Sequence, residues 1–307
     1  MYRIRPLNRA DAQDLEYLGT KRKFWFRLRN TRYLFKAEER GTGEDWAEKI
    51  VCELAGMLGI PHVKYQLARE EGGEAGPQPG VICPSFLLKG QALEMGNQLL
   101  FRRDPDYPAD NDTKYKVTAH TVDAVAAAVK ELAVCDARWR RSLPGQIHSA
   151  LDVFTGYLLL DALVANQDRH HQNWGAVRTG AHLALAPTYD HGSSLARNLA
   201  DDERARRLQT RDAGYSVAAF AERARSGFYL SSAETKTLGT LQAYHRMAAF
   251  SPTAAAVWRG RLAGLEWPTV EAVVDRVPPE RMSAVTRRFT LELLRINRDR
   301  LLQLKAE

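Results

Sequence analysis

Asp168-Arg169-His170-His171-Gln172-Asn173 is followed, seventeen residues after Asn173, by the Asp190 of Thr188-Tyr189-Asp190-His191-Gly192. An acid, an Asn five positions on and a second acid beyond a short hairpin form the order expected of a phosphoryl-transfer site. Mg2+ prefers hard oxygen ligands and takes only one or two from protein, keeping waters and phosphate oxygens for the rest. Asn173 and Asp190 suit that part. Asp168 suits the group that meets a substrate hydroxyl, accepts its proton and aims it in line. Arg169 and His170 read as supports of the loop rather than reacting groups, with His170 on its nucleotide side. The pair His170-His171 has no Cys or His partners at ligand spacing, which argues against zinc.

The flanks of this loop suit such a site. Residues 149 to 165 are strongly apolar over a helical length and deliver Asn166 at their end. After Asn173, residues 174 to 177 read as a strand, 178 to 180 as a turn and 182 to 186 as the returning strand, leading through Pro187 to Asp190.

Upstream, residues 23 to 37 read as two aromatic-rich strands turning at 29 to 31, with Lys36 near the end of the second. A Lys there can reach nucleotide phosphates as a point charge if a carboxylate holds it. That carboxylate is expected on the next helix, whose apolar positions run from Trp46 to Leu58 and stop at Gly59 and Pro61. Thr42 and Asp45 resemble a capping box at its start. Glu48, at one border of the apolar arc, is the preferred partner of Lys36, and Glu53 is the second candidate. Gly19 and Thr20 stand where a phosphate-covering loop belongs. Residues 61 to 69 and 80 to 88 read as a strand pair around an exposed Gly/Pro/Glu turn, and Ser85, Phe86 and Leu87 as the hinge that meets adenine.

These features together resemble the HipA-like serine/threonine kinases: the D-R-H-x-x-N loop, the later Tyr-Asp, the Lys36 strand, the helix through E-K-I-V-C-E-L-A-G-M-L-G-I-P and the C-terminal L-E-L-L-R-I-N-R-D-R-L-L-Q-L. The similarity spans most of residues 18 to 305. It implies a bacterial kinase that uses ATP and Mg2+ to phosphorylate a Ser or Thr of a protein substrate, often within a toxin-antitoxin pair, so an antitoxin or other regulatory protein is an implied partner. It also implies Asp168 as the base, Asn173 and Asp190 as metal ligands and Lys36 as the phosphate lysine. The full-length toxins carry a further small N-terminal subdomain, so the resemblance is to shorter, core-only members. D-R-H-x-x-N is shared with phosphoinositide kinases, which leaves a lipid or small-molecule phosphotransferase as one alternative. A nucleotide-binding pseudokinase scaffold is the other.

Composition agrees with an enzyme. The net charge of +7 resides in residues 1 to 36, where ten Lys/Arg face three Asp/Glu and the remainder balances. A basic first lobe fits ATP, an acidic partner or RNA, but the aromatics between its cations alternate as strand core, so direct nucleic-acid binding is not expected. No long uncharged apolar run and no signal-like opening are found, and Cys52, Cys83 and Cys135 stand singly as reduced thiols. A cytoplasmic protein without membrane insertion is expected. Residues 191 to 230 follow the second acid and read as substrate-facing; the arginines of 204 to 211 suit a grip on an acidic or phosphorylated partner, while residues 201 to 207 also read as a charged helix carrying its own ion pairs, the preferred reading. Helices are expected at 232 to 250, 252 to 265, 270 to 277 and 279 to 304. The expected fold is α+β and two-lobed, with a small β-rich nucleotide lobe over residues 1–90 and a larger helical catalytic lobe over 91–307.

Overall fold

Successive residues of a strand point to opposite faces, and the two aromatic strands use both. Phe24, Phe26 and Phe35 pack with Leu7, Ala68 and Ile82 in a small core, while Lys23, Trp25, Leu34 and Lys36 face a cleft. The computed structural model describes residues 1–15, 22–38, 41–73, 76–110 and 116–304. Gly19 and Thr20, expected in the phosphate loop, lie outside the described residues.

Strands β1 (Arg5–Asn8), β2 (Asp14–Leu15), β3 (Lys23–Leu28), β4 (Thr31–Ala37), β5 (Gln66–Glu71) and β6 (Gln78–Pro84) form one sheet in the order β1-β5-β6-β4-β3-β2. Only the β1-β5 pair is parallel. The register Lys23↔Lys36 and Trp25↔Leu34 puts these four side chains on one face. Strands β5 and β6 are shorter than the expected 61–69 and 80–88. The stretch before β5 leaves the sheet because Val63 N–H bonds to Thr188 O, at 3.0 Å, on the segment leading to Asp190.

Helix α1 (Glu44–Leu58) lies against this sheet. Its start corrects the capping-box expectation. Gly43 takes the cap position at φ +89, where an added Cβ would run into the Trp46 ring at 1.9 Å, so Thr and Asn are excluded there. The orphan amides of Thr42 and Glu44 donate instead to the Glu38 carboxylate, and Asp45 turns to Arg281 at 2.7 Å.

The lower lobe opens with β7 (Gln91–Met95), which pairs with β8 (Gly175–Thr179), itself paired with β9 (His182–Leu185). Helices α2 (Gly96–Arg103), α3 (Val122–Lys130), α4 (Ala137–Arg140), α5 (Ala150–Val164), α6 (Asp201–Gln209), α7 (Val217–Arg223), α8 (Thr240–Phe250), α9 (Pro252–Ala263), α10 (Trp267–Asp275) and α11 (Ala284–Gln303) complete it. The expected helix at 232–250 is shortened to α8, because residues 225 to 239 turn back on themselves, with Leu238 N–H bonding to Phe228 O at 2.7 Å and Ser226 N–H to Leu238 O at 2.8 Å. The last helix begins at Ala284, not at Pro279, because Ser283 caps it through Thr286 N–H. Helix α6 carries the ion pairs Arg204–Asp201, Arg206–Glu203 and Arg207–Glu203.

Helix α5 is apolar all round, as a helix inside a lobe must be, and every residue in it except Asp152 is buried. Ser149 and Asp152 cap each other at its start. It packs on α8, α9, α11 and α3, so its end is a rigid base for the loop at 166–173. No helix of the described residues is long and apolar enough to cross a membrane.

A buried His behind that loop makes stability depend on pH. His120 stacks on Phe228 at 4.6 Å, bonds to Gly227 O through Nδ1 and accepts from Trp174 Nε1. Burial holds it neutral, with its pKa lowered from 6.5 to about 3. Because the folded value is depressed, its contribution is full above 6.5 and is lost as pH falls toward 3. Chemical denaturation from about pH 6 to 4 should show stability falling by up to about 1.4 kcal/mol per pH unit for this group, and a smaller slope in His120→Gln. Equal slopes would refute the buried neutral state.

Candidate active site

Lys36 Nζ lies 2.6 Å from Glu48 Oε1 and 2.6 Å from Asp190 Oδ1, joining β4, α1 and the segment after β9. Burial works against the Lys36 charge, but the carboxylates of Asp190 and Glu48 outweigh it and hold the ammonium well above its usual pKa. Burial also pushes the Glu48 acid up, against the pull of Lys36. Contacts at hydrogen-bond distance on both sides of Lys36 favour the charged state for it. Glu53 is elsewhere, paired with Lys49 one helical turn back.

Asp190 has φ +59, a left-handed conformation that Asp tolerates better than most residues. Its N–H donates to Tyr65 Oη at 3.3 Å, and the next amide, His191 N–H, donates to Glu48 Oε2 at 2.9 Å. Sequence reading placed Tyr65 only as a strand residue. A buried Tyr carries no local signal of what its hydroxyl meets.

The loop at 166–173 hangs on a buried ion pair. Arg169 reaches both oxygens of Asp161 on α5 at 2.7 Å, donates to Asn173 O at 2.8 Å and touches His191 Nε2 at 3.2 Å. Asn166 completes the anchor, donating to Asp161 Oδ1 and accepting from Asp168 N–H. An arginine can only donate, so His191 Nε2 must be the unprotonated nitrogen. Burial, aided by Arg169, lowers the His191 pKa well below its usual value. Gly227 closes over the back of the loop, where a Cβ would come within 2.6 Å of Arg169 O.

Hydrogen-bond partners orient the remaining candidates. Asn173 Nδ2 donates to Asp168 O at 2.7 Å, which leaves its amide oxygen as the end able to ligate a cation. Gln172 N–H donates to His170 Nδ1, so the His170 proton sits on Nε2, 3.6 Å from Asp168 Oδ1. Ser193 Oγ donates to Asp168 Oδ2 at 3.4 Å.

A cleft of about 330 Å³ lies between the lobes. Lys36, Asn173, Asp190, His170, Ser85, Phe86 and Leu87 all line it. Asp168 is set beside the cleft through its bond to Asn173. Trp25, Leu34, Val63, Leu93 and Met95 add apolar walls that the sequence reading did not assign. Phe86 stacks on Tyr189, with centroids 6.0 Å apart and planes at 21°. Ser85 N–H bonds to Arg32 O and Phe86 O accepts from Arg138. Cys83, in the same wall, is a thiol pushed up to about 12 by burial and stays neutral.

The donor set fits Mg2+. One carboxylate and one amide oxygen line the cleft beside a cation suited to phosphate, and waters and phosphate oxygens complete such a shell. Among the described residues, no three His, Cys, Asp or Glu side chains converge as a protein-only metal cage.

No protein-family model matches the chain, and no curated protein sequence matches it. Solved structures do. The Helicobacter pylori proinflammatory kinase CtkA superposes with a TM-score of 0.68 at 16% identity, covering 97% of this chain and 99% of that one. A chain from the Shewanella oneidensis MR-1 toxin-antitoxin complex of HipA, HipB and operator DNA superposes with a TM-score of 0.58 at 12% identity, covering 95% of this chain and 68% of that one. At such identities the likeness speaks for the fold alone, and the α+β, two-lobed arrangement agrees with it. The chain has the HipA-like kinase fold.

Proposed function

We propose that this protein is an ATP- and Mg2+-dependent kinase that transfers the γ-phosphoryl group to a Ser or Thr hydroxyl of a protein. The observation that carries the reading is Lys36 held between Glu48 and Asp190 at the edge of a cleft that also contains Asn173. Residues 1–90 serve as the nucleotide lobe and 91–307 as the catalytic lobe.

In this reading the apolar walls and the Phe86–Tyr189 stack sandwich the adenine ring, and Lys36 places its charge on phosphate oxygens. Glu48 holds the ammonium in place. Asn173 and Asp190 would hold Mg2+, which when bound would neutralise charge on the phosphates. Asp168, positioned by Asn173 and Ser193, accepts the proton of the acceptor hydroxyl and orients its oxygen for attack. Use of ATP and three buried thiols fit a cytoplasmic setting. The neighbour solved in a toxin-antitoxin system with HipB supports an antitoxin or regulatory protein as partner.

Incubation with γ-labelled ATP, Mg2+ and a cell lysate tests this. Label is expected on Ser or Thr of a protein. Label confined to lipid or small molecules would reassign the acceptor, and no label in any fraction would leave a nucleotide-binding scaffold.

A further inference from the structure

We propose that Tyr65 is a positioning residue for the cation site, holding the backbone twist that aims Asp190; the inference rests on the kinase reading above. Tyr65 stands just ahead of β5 and is 4% exposed. Three contacts fix it. Its N–H donates to Cys52 Sγ at 3.3 Å, its hydroxyl oxygen accepts from Asp190 N–H at 3.3 Å, and its ring lies 5.6 Å from Lys36 Nζ.

Even for Asp, the φ of +59 at Asp190 is a sparsely populated conformation that surrounding contacts help to hold. Here two consecutive amides, those of Asp190 and His191, are captured by Tyr65 Oη and Glu48 Oε2. Both acceptors belong to the upper lobe, whereas Asp190 belongs to the lower. The aim of a lower-lobe carboxylate is therefore set from the upper lobe. Tyr65 also presents its ring to the Lys36 ammonium, an attraction that favours the same arrangement.

Tyr65→Phe removes the acceptor and keeps the ring. Affinity for a non-hydrolysable ATP analogue, measured by calorimetry without Mg2+, should hardly change. The Mg2+ concentration that half-maximally tightens analogue binding should rise about three- to tenfold, the usual effect of one lost neutral hydrogen bond. Tyr65→Leu, which also removes the ring from Lys36, should weaken metal-free binding as well. An unchanged Mg2+ dependence in Tyr65→Phe overturns the assignment while leaving the kinase reading intact. No Mg2+ effect in the unsubstituted protein overturns both. A readout independent of any variant is hydrogen exchange at the Asp190 amide. Slow exchange in the unliganded protein is expected, and fast exchange also sinks the proposal.

Discussion

Asp168→Ala is expected to lower phosphoryl transfer by about 10²- to 10⁴-fold, the range set by removing a general base. Nucleotide affinity should stay near that of the parent. Asp168 is set beside the cleft rather than in its wall, and what it offers to Asn173 Nδ2 is its backbone carbonyl, at 2.7 Å, which Ala retains. Single-turnover transfer and analogue binding, measured on one preparation, separate the two effects. Parent-like turnover in the variant would falsify the role of Asp168. Equal loss of turnover and binding would mean that the loop had collapsed and that Asp168 is structural.

Asp190→Ala should abolish the tightening of nucleotide binding by Mg2+. Metal charge stabilisation is worth several kcal/mol, so turnover should fall on the order of 10²-fold or more. Metal-free binding should not fall with it. Asp190 bonds to Lys36 at 2.6 Å, and its removal takes a negative charge away from the phosphate path while Glu48 still holds the ammonium. Metal-free affinity should therefore be unchanged or tighter. The Mg2+ titration decides: a variant that still binds the analogue more tightly with Mg2+ would move the metal site away from Asp190. Read with Tyr65→Phe, the pair distinguishes loss of the ligand from loss of its aim.

Local pattern made much of this site legible. Period-two alternation separates Phe24, Phe26 and Phe35 from Trp25 and Lys36, and a strand has only two faces for them. The helical arc of α1 put Glu48 at a border from which a side chain can turn inward, and it does so toward Lys36. The apolar run of α5, its capping box and the following hairpin are also local in origin. Local cues failed where a distant group supplied the partner. Thr42 and Asp45 look like a cap in sequence, yet Glu38 takes the Thr42 and Glu44 amides and Arg281 pairs with Asp45. The stretch at 61–65 reads as strand, yet Val63 bonds across to Thr188.

What the amino-acid order determined is the set of chemical groups and the elements that carry them: a lysine on a strand, an acid on the next helix, an acid and an Asn on one loop, and an acid after a hairpin. These follow from interactions between residues close along the chain. Tertiary structure alone decided that Asp190 shares Lys36 with Glu48, that Tyr65 and Glu48 capture its neighbouring amides, and that Asp161 anchors Arg169 beneath the loop. Such contacts join residues up to 154 positions apart, as between Lys36 and Asp190. Those that cross between the lobes exist only once the two lobes have closed, and burial is what makes each unpaired polar group costly enough to select its partner.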